Sequence, residues 1–131
     1  MTYAWSEEDR LEARERLVAQ VGKLPEAGFE DSHGHTGLIC RGKRFGWLVV
    51  DHHGDGRLAL WVKAPREEQR ALVAGDPARY FVPPYVGPSG WVGVLLDPAS
   101  NPDWDEVAAL VEQAWRMSAT KRAIAAHDGS H

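Results

Sequence analysis

The stretch RYFVPPYVGPSGWVGVLLD, residues 79–97, contains two strand-like segments and the loop that joins them. Residues 79–82 are predicted to form a short strand, which ends where Pro83 and Pro84 cannot donate hydrogen bonds to a sheet. Residues 91–97 are predicted to form a buried strand. The prolines between them reduce the freedom of the unfolded chain, and Gly87 and Gly90 allow backbone angles that other residues avoid. We therefore expect residues 83–90 to form a preformed lip over one end of a sheet.

The sequence before this stretch predicts a helix, three strands and a second helix. Ser6 and the three acidic residues after it are typical of a helix N-terminus, and apolar residues recur at helical spacing over residues 6–23. Strands are predicted at 36–41, 44–52 and 57–63, with turn signals at Gly42-Lys43 and Asp55-Gly56. The second helix is expected to follow Pro65 and to end near Gly75.

The sequence after it predicts one long final helix. Asp103 is a good N-cap, and an apolar stripe follows it at Trp104, Val107, Leu110, Val111, Ala114 and Trp115. Residues 1–126 are predicted to form a single domain, and residues 127–131 a disordered tail. Because strands joined by short turns pair antiparallel, we predict a two-layer α+β fold of order α-β-β-β-α-β-β-α, with a five-stranded antiparallel sheet.

The composition is that of a globular domain. The chain has 131 residues, of which 44% are hydrophobic and 26% are charged, so it can bury one core without metal or disulfide support. The single cysteine, Cys40, cannot form an internal disulfide, which favours a reducing compartment. The N-terminus lacks an apolar leader, and no apolar run reaches membrane-spanning length. These features predict a cytoplasmic protein that does not contact membranes.

The charge is unevenly distributed along the chain. Its net value of −4 has the wrong sign for strong non-specific binding to nucleic acid. Residues 1–32 contain eight acidic and four basic residues. Residues 33–82 contain five acidic and eight basic residues, and residues 83–131 contain six acidic and three basic residues. The basic middle segment therefore offers an anion-binding face, unless these charges are only solvated side chains.

Two longer segments resemble a known family. KAPREEQRALVAGDPARYFVPPYVGPSGWVGVLLD (residues 63–97) and DWDEVAALVEQAWRMSATKR (residues 103–122) are similar to the MmcQ/YjbR family, as is the order of elements over about residues 8–123. The most specific part is PPYVG, GWVGV and LD with the tryptophan-bearing final helix. The resemblance implies an antiparallel sheet with helices on one side, called a double wing and similar to type III secretion chaperones. It also implies the DNA-binding role usually predicted for this family, and it supplies no established catalytic residues to carry over to this sequence.

Side-chain alternation assigns three tryptophans to one face of the sheet. In each of three strands one set of side chains is aliphatic, and the other set carries Trp47, Trp61 or Trp91. If helices cover the aliphatic sets, these rings lie uncovered beside Phe45 and Lys63. Such rings stack on nucleobases for ~1–3 kcal/mol per base, while nearby basic residues contact phosphates. The predicted nucleic-acid-binding or partner-binding residues are Lys43, Arg44, Phe45, Trp47, Trp61, Lys63, Arg79, Tyr85 and Trp91.

The same residues allow other interpretations. The tryptophans are core residues if helices, or the loop at 83–90, cover the aromatic face. An uncovered face also suits a chaperone-like dimer or an adaptor that binds another protein. A small ligand under the 83–90 loop is a third possibility. The leading hypothesis is a non-enzymatic module that binds DNA.

Metal binding is not predicted, although histidines occur in two groups. His33 and His35 form one group, and His52 and His53 follow Asp51 in the other. Imidazole is a common metal ligand, but no cysteine pair or HExxH motif accompanies either group. We therefore predict no metal and no cofactor.

Catalysis is not predicted either. The segment Gly-Pro-Ser-Gly at 87–90 does not match a nucleophile elbow, and Cys40 within an apolar strand is expected to be a buried, inert thiol. Asp51 with His52 or His53 would make an acid–base pair, but no residue nearby identifies a substrate. Binding is the expected mode of action.

Overall fold

The computed structural model describes residues 3–129 as an α+β fold. Its strands form one antiparallel sheet of order β1-β2-β3-β4-β6-β5, six strands where the sequence predicted five. The helices are α1 Glu7–Val21, α2 Arg66–Gly75, α3 Trp104–Arg116 and α4 Lys121–Gly129. The strands are β1 Ala27–Ser32, β2 His35–Cys40, β3 Lys43–Val50, β4 Leu58–Val62, β5 Tyr80–Phe81 and β6 Val92–Leu95.

The additional strand, β1, lies at one edge of the sheet. It pairs with β2 along its whole length, from Ala27 opposite Cys40 to Ser32 opposite His35. Its single large apolar side chain, Phe29, is 43% exposed, so the alternation that signals a strand is missing from its sequence. Hydrogen bonding to β2 therefore defines β1 more than its own side chains do.

The four helices pack on one face of the sheet and form the helix-side core with it. Trp115 of α3 is fully buried there, and its Nε1 donates a hydrogen bond to the carbonyl oxygen of Pro25 at 3.0 Å. α1 contributes Leu17 and α4 contributes Ala123, while the half-buried Leu72 of α2 packs against the same core. The sheet contributes Leu38, Phe45, Leu48, Leu58, Leu60, Val62, Val92 and Val94.

The predicted final helix is interrupted at residues 117–120. The Oγ1 atom of Thr120 accepts a hydrogen bond from the Ala123 amide at 3.0 Å, which caps a new helix. α4 then returns toward α3, where Arg116 donates to Asp128 at 2.8 Å and lowers the pKa of that carboxyl. Residues 127–129, predicted to be a disordered tail, therefore form the last turn of α4, and residues 130 and 131 lie outside the described residues.

Within residues 3–129, no helix has both the length and the apolar character needed to cross a bilayer.

Candidate functional site

The sheet face opposite the helix-side core carries a second hydrophobic cluster, the aromatic face. Its buried members are Val49, Ala59, Trp61 and Trp91, and the half-buried residues packed against them are Trp47, Phe81, Val86 and Leu95. All eight come from strands or loops. The three tryptophans therefore lie on the face without helices, as strand alternation predicts. Side chains and loops cover two of them, because Trp61 is 6% and Trp91 8% exposed.

Two glycines allow aromatic rings to lie flat on this face. A Cβ atom at Gly37 would lie 3.2 Å from the ring of Trp47, and one at Gly93 would lie 2.4 Å from the ring of Phe81. Both distances are shorter than ordinary van der Waals contact, so each ring occupies space that a side chain would fill. The aromatic face is consequently shallow, with rings lying along the sheet.

Two arginines cover these rings from outside. The Cζ atom of Arg44 lies 4.5 Å from the ring centroid of Trp47, and that of Arg57 lies 4.3 Å from the ring centroid of Phe81. Such cation–π contacts are worth about 0.5–1 kcal/mol at exposed sites. Glu30 pairs with Arg44 at a longer N···O distance of 3.4 Å. The aromatic face therefore presents positive charge above its rings.

The loop at residues 83–90 forms a lip at one side of the aromatic face. The side chain of Gln69 is buried, and its Nε2 donates to the carbonyl oxygens of Gly87 at 2.9 Å and Trp91 at 2.6 Å. Val86 packs against the aromatic face, whereas Tyr85 is 76% exposed and has a positive φ of 66°. The lip is thus fixed to α2, and its tyrosine ring is accessible.

A histidine stands between this tyrosine and the tryptophans. The His52 ring centroid lies 4.9 Å from that of Trp61 and 5.8 Å from that of Tyr85, with both ring pairs nearly perpendicular. Asp51, with a positive φ of 50°, positions this turn: its Oδ1 accepts from the Gly56 amide at 2.8 Å. Because Asp51 also accepts from the Tyr3 hydroxyl, its carboxylate is engaged in holding the loop together.

A small cavity opens beside this histidine. It has a volume of about 170 Å³ and is lined by His35, Trp47, Val49, His52 and Trp61. The Nδ1 atom of His35 accepts a hydrogen bond from the Val50 amide at 3.0 Å, so the neutral ring carries its hydrogen on Nε2. The Nε2 atom of His52 is buried and has no hydrogen-bond partner among residues 3–129. We call this space the imidazole cavity.

Burial of His35 makes the stability of the fold pH-dependent. Burial is the largest cause that lowers the pKa of His35 below 6.5, followed by repulsion from His52 and His33, while Asp55 acts in the opposite direction. The unfolded chain therefore takes up this proton at higher pH than the folded chain. The stabilisation from the neutral ring of His35 is complete above about pH 6.5, the pKa of the unfolded chain. It is lost as the pH falls through the lower pKa that His35 has in the folded chain.

We expect the wild-type chain to lose more unfolding free energy than the His35→Gln variant between about pH 7.5 and about pH 5.5. Glutamine can still accept from the Val50 amide but does not titrate. Urea unfolding at both pH values measures the difference. Equal losses in the two proteins would show that His35 does not cause the acid sensitivity.

The structure places Phe45 and Lys63 away from the tryptophans, so their predicted positions are wrong. Leu38 pairs with Gly46 but Ile39 pairs with Arg44, which leaves Phe45 as the extra residue of a β-bulge. The bulge redirects its side chain into the helix-side core. The Nζ of Lys63 lies 3.4 Å from the Oγ of Ser118, next to the α3–α4 connection.

The other predicted basic residues lie at different places on the sheet. Lys43 is exposed at the start of β3, next to Arg44. Arg79 precedes the edge strand β5 and pairs with Asp76 at 3.7 Å. The residues that the structure brings together on one face are therefore Arg44, Trp47, Trp61, Tyr85 and Trp91. Lys43 lies on the opposite face, because it pairs with Cys40 of the helix-side core and stands beside residues 118–120.

Sequence reasoning did not assign His35, Arg57 or Phe81 to this face, and it considered His52 only as a metal or acid–base group. Arg57 comes just before a strand and Phe81 lies within one, but stacking between them depends on sheet order, which places β5 beside β6. Within residues 3–129, no three side chains of His, Cys, Asp or Glu meet in a way that would hold a metal ion. Cys40 is buried, and burial raises the pKa of its thiol.

Comparison with known proteins assigns the chain to a family. The model of the YjbR family matches residues 22–117, which is more than half of the chain. The chain belongs to the YjbR family. The match includes the strands β1 to β6, the lip and α3, and thus every residue of the aromatic face.

The YjbR-family chain also resembles a solved structure. The crystal structure of Deinococcus radiodurans protein DR2400, with a DUF419 domain, has a TM-score of 0.67 and 15% sequence identity. The similarity covers 88% of this chain and 87% of that chain, and at this identity it supports the fold alone. A comparison with curated proteins gives no match.

Proposed function

We propose that this YjbR-family chain binds single-stranded nucleic acid across the aromatic face. Arg44 and Arg57 contact phosphates, and bases stack on the exposed ring of Tyr85. The observation that carries the proposal is the guanidinium group of Arg44 over the ring of Trp47, on a sheet face without helices. Stacking on rings beside basic residues is how many proteins bind single strands without sequence preference.

The shape of the face favours a single strand over a duplex. Its rings lie flat on the sheet because of Gly37 and Gly93, and neither a helix nor a two-stranded ribbon projects from it toward a major groove. Splayed bases expose their π-faces, which a shallow aromatic surface can contact. The proposal therefore concerns unpaired DNA or RNA.

The acidic net charge does not oppose binding at this face. Residues 33–82 contain eight basic and five acidic residues, and they supply β3, β4 and the two stacked arginines. Most acidic residues occur before residue 33 or after residue 82. Since release of counterions from the strand contributes to binding, affinity should fall as salt rises.

The test is fluorescence anisotropy with a labelled single strand of about 12 nucleotides, within the site sizes of single-strand-binding folds. We expect the wild type to bind at about 50 mM salt and to weaken strongly by about 200 mM. The Arg44→Glu/Arg57→Glu variant should bind at least about tenfold more weakly, because it reverses two phosphate contacts on this face.

The matched control is the Lys121→Glu/Arg122→Glu variant, which makes the same charge change at exposed positions of α4. It should retain most of the affinity. If both variants lose affinity equally, the aromatic face is not the binding site. Absence of binding at low salt, together with a dimer that Tyr85→Glu dissociates, would instead assign the face to protein contacts.

A further inference from the structure

A second group of basic residues lies outside the aromatic face, between the β2–β3 turn and the α3–α4 connection. An open cleft of about 360 Å³ separates these two segments and is lined by Arg41, Lys43, Ser118, Ala119 and Thr120. Lys63 reaches the same connection, because its Nζ donates to the Oγ of Ser118 at 3.4 Å. Three cations therefore surround one short segment of chain, and we call this space the basic cleft.

The positive charge of the basic cleft is not balanced by carboxylates. Within residues 3–129, none of its three cations forms an ion pair, whereas Arg14 and Arg116 each pair with an acid elsewhere. The nearest acid in the register of the sheet is Glu26, which precedes the partner of Cys40 and is also unpaired in that part of the chain. Lys63 is half-buried, and withdrawing a charge from water without a counter-ion is costly. The cleft therefore favours an anion.

The two hydroxyl groups of the cleft are available as hydrogen-bond donors. The Oγ of Ser118 accepts from Lys63, and the Oγ1 of Thr120 accepts from the Ala123 amide at 3.0 Å. A hydroxyl can donate one hydrogen bond in addition to those it accepts, and neither hydrogen has an acceptor among the described residues. The side chains of the cleft thus offer donors and positive charge, which a ligand rich in anionic oxygens would complement.

The turn that carries two of the cations has a defined backbone. Arg41 has a φ of 54° and Gly42 a φ of 79°, and Cys40 pairs with Lys43 across them. Positive φ at both central residues is typical of a tight hairpin turn, where Asn, Asp or Gly is preferred at the first of them. Arg41 places a cation there at some conformational cost, and the short turn fixes its spacing from Lys43.

We propose that the basic cleft binds a phosphorylated small molecule through a diphosphate group. Lys and Arg bind phosphate oxygens through charge-assisted hydrogen bonds. Three cations and two hydroxyl donors match the several charged oxygens of a diphosphate better than a carboxylate, which has one charge and two oxygens. The inference does not rest on the proposed function, because Lys43 and Lys63 lie away from the tryptophans and beside residues 118–120.

The first test compares anions on the wild type by calorimetry at constant ionic strength. Pyrophosphate should bind at least about tenfold more tightly than acetate, since each hydrogen bond to a charged group contributes about a factor of ten or more. It should also raise the Tm, because a ligand of the native state stabilises that state. Equal affinity of the two anions, or no binding of pyrophosphate, would overturn the proposal.

The second test removes two cations with the Arg41→Asn/Lys43→Gln variant, in which asparagine suits the positive φ of the turn. Pyrophosphate should bind at least about tenfold more weakly. The matched control is Arg66→Gln/Arg70→Gln, which loses the same charge at exposed positions of α2, packed on β5 at the far edge of the sheet. It should bind as the wild type does. Circular dichroism verifies folding, and equal weakening in both variants would contradict a local site.

Adenosine diphosphate distinguishes the two sources of such a group. An affinity equal to that of pyrophosphate would support recognition of the phosphates alone, and a higher affinity would support a nucleotide as the ligand. In either case the Arg41→Asn/Lys43→Gln variant must lose the binding. Unchanged affinity of both ligands in that variant would overturn the assignment of the diphosphate to the basic cleft.

Discussion

The Trp115→Ala variant is expected to lose about 3–5 kcal/mol of unfolding free energy, the range measured for large aromatic residues in cores. Trp115 is fully buried, and its ring stands 5.2 Å from that of His127 in α4. Removing the indole leaves a cavity between helix and sheet. It also leaves the carbonyl oxygen of Pro25 without its hydrogen-bond donor. The loss of the hydrogen bond therefore adds to the cost of the cavity.

Urea unfolding followed by circular dichroism measures this loss. Trp104→Ala is the control, since Trp104 lies on the same helix but is only half-buried and contacts Arg16 at 5.0 Å. Its loss should be clearly smaller. Equal losses in the two variants would show that α3 is not held mainly by Trp115.

The Gln69→Leu variant is expected to lose about 1–3 kcal/mol and to loosen the lip. Gln69 is 9% exposed, and leucine of similar size would leave the carbonyl oxygens of Gly87 and Trp91 without a donor. Buried groups that lose their partner carry a cost of this size. Urea unfolding measures the loss of unfolding free energy for the whole chain. Hydrogen exchange of the amides at residues 83–91 measures how often the lip opens locally.

Gln113→Leu is the matched control for this substitution. The Oε1 atom of Gln113 is buried and has no hydrogen-bond partner in the described part of the chain, so its replacement removes an unsatisfied group. We expect this variant to equal or exceed the wild type in stability. If Gln113→Leu destabilises as much as Gln69→Leu, the amide of Gln69 does not fix the lip.

The helices were predictable because their signals are local. Ser6 and Asp9 form a reciprocal capping box at the start of α1, and α2 follows Pro65 and ends at Gly75. The break between α3 and α4 was missed because neither glycine nor proline marks residues 117–120. The side-chain cap by Thr120 becomes informative only when α4 is known to return toward Arg116.

The site was predictable in part, because alternation assigns side chains to faces only in regular strands. Trp47, Trp61 and Trp91 follow the alternation. Phe45 does not, because the bulge beside Arg44 shifts the register of β3 against β2. The cover over Trp61 comes from His52, which lies in a turn, and strand periodicity gives no information about turns.

The hydrogen bond between Trp115 and Pro25 joins positions 90 residues apart. A ribosome releases the N-terminal half first, so α1 and β1 to β4 leave the exit tunnel before α3, which packs on β3 and β4. Until then Leu48 and Leu60 lack the cover that α3 provides, and segments in this state are prone to aggregate. The core of this sheet is therefore expected to remain incomplete during translation until α3 has been made.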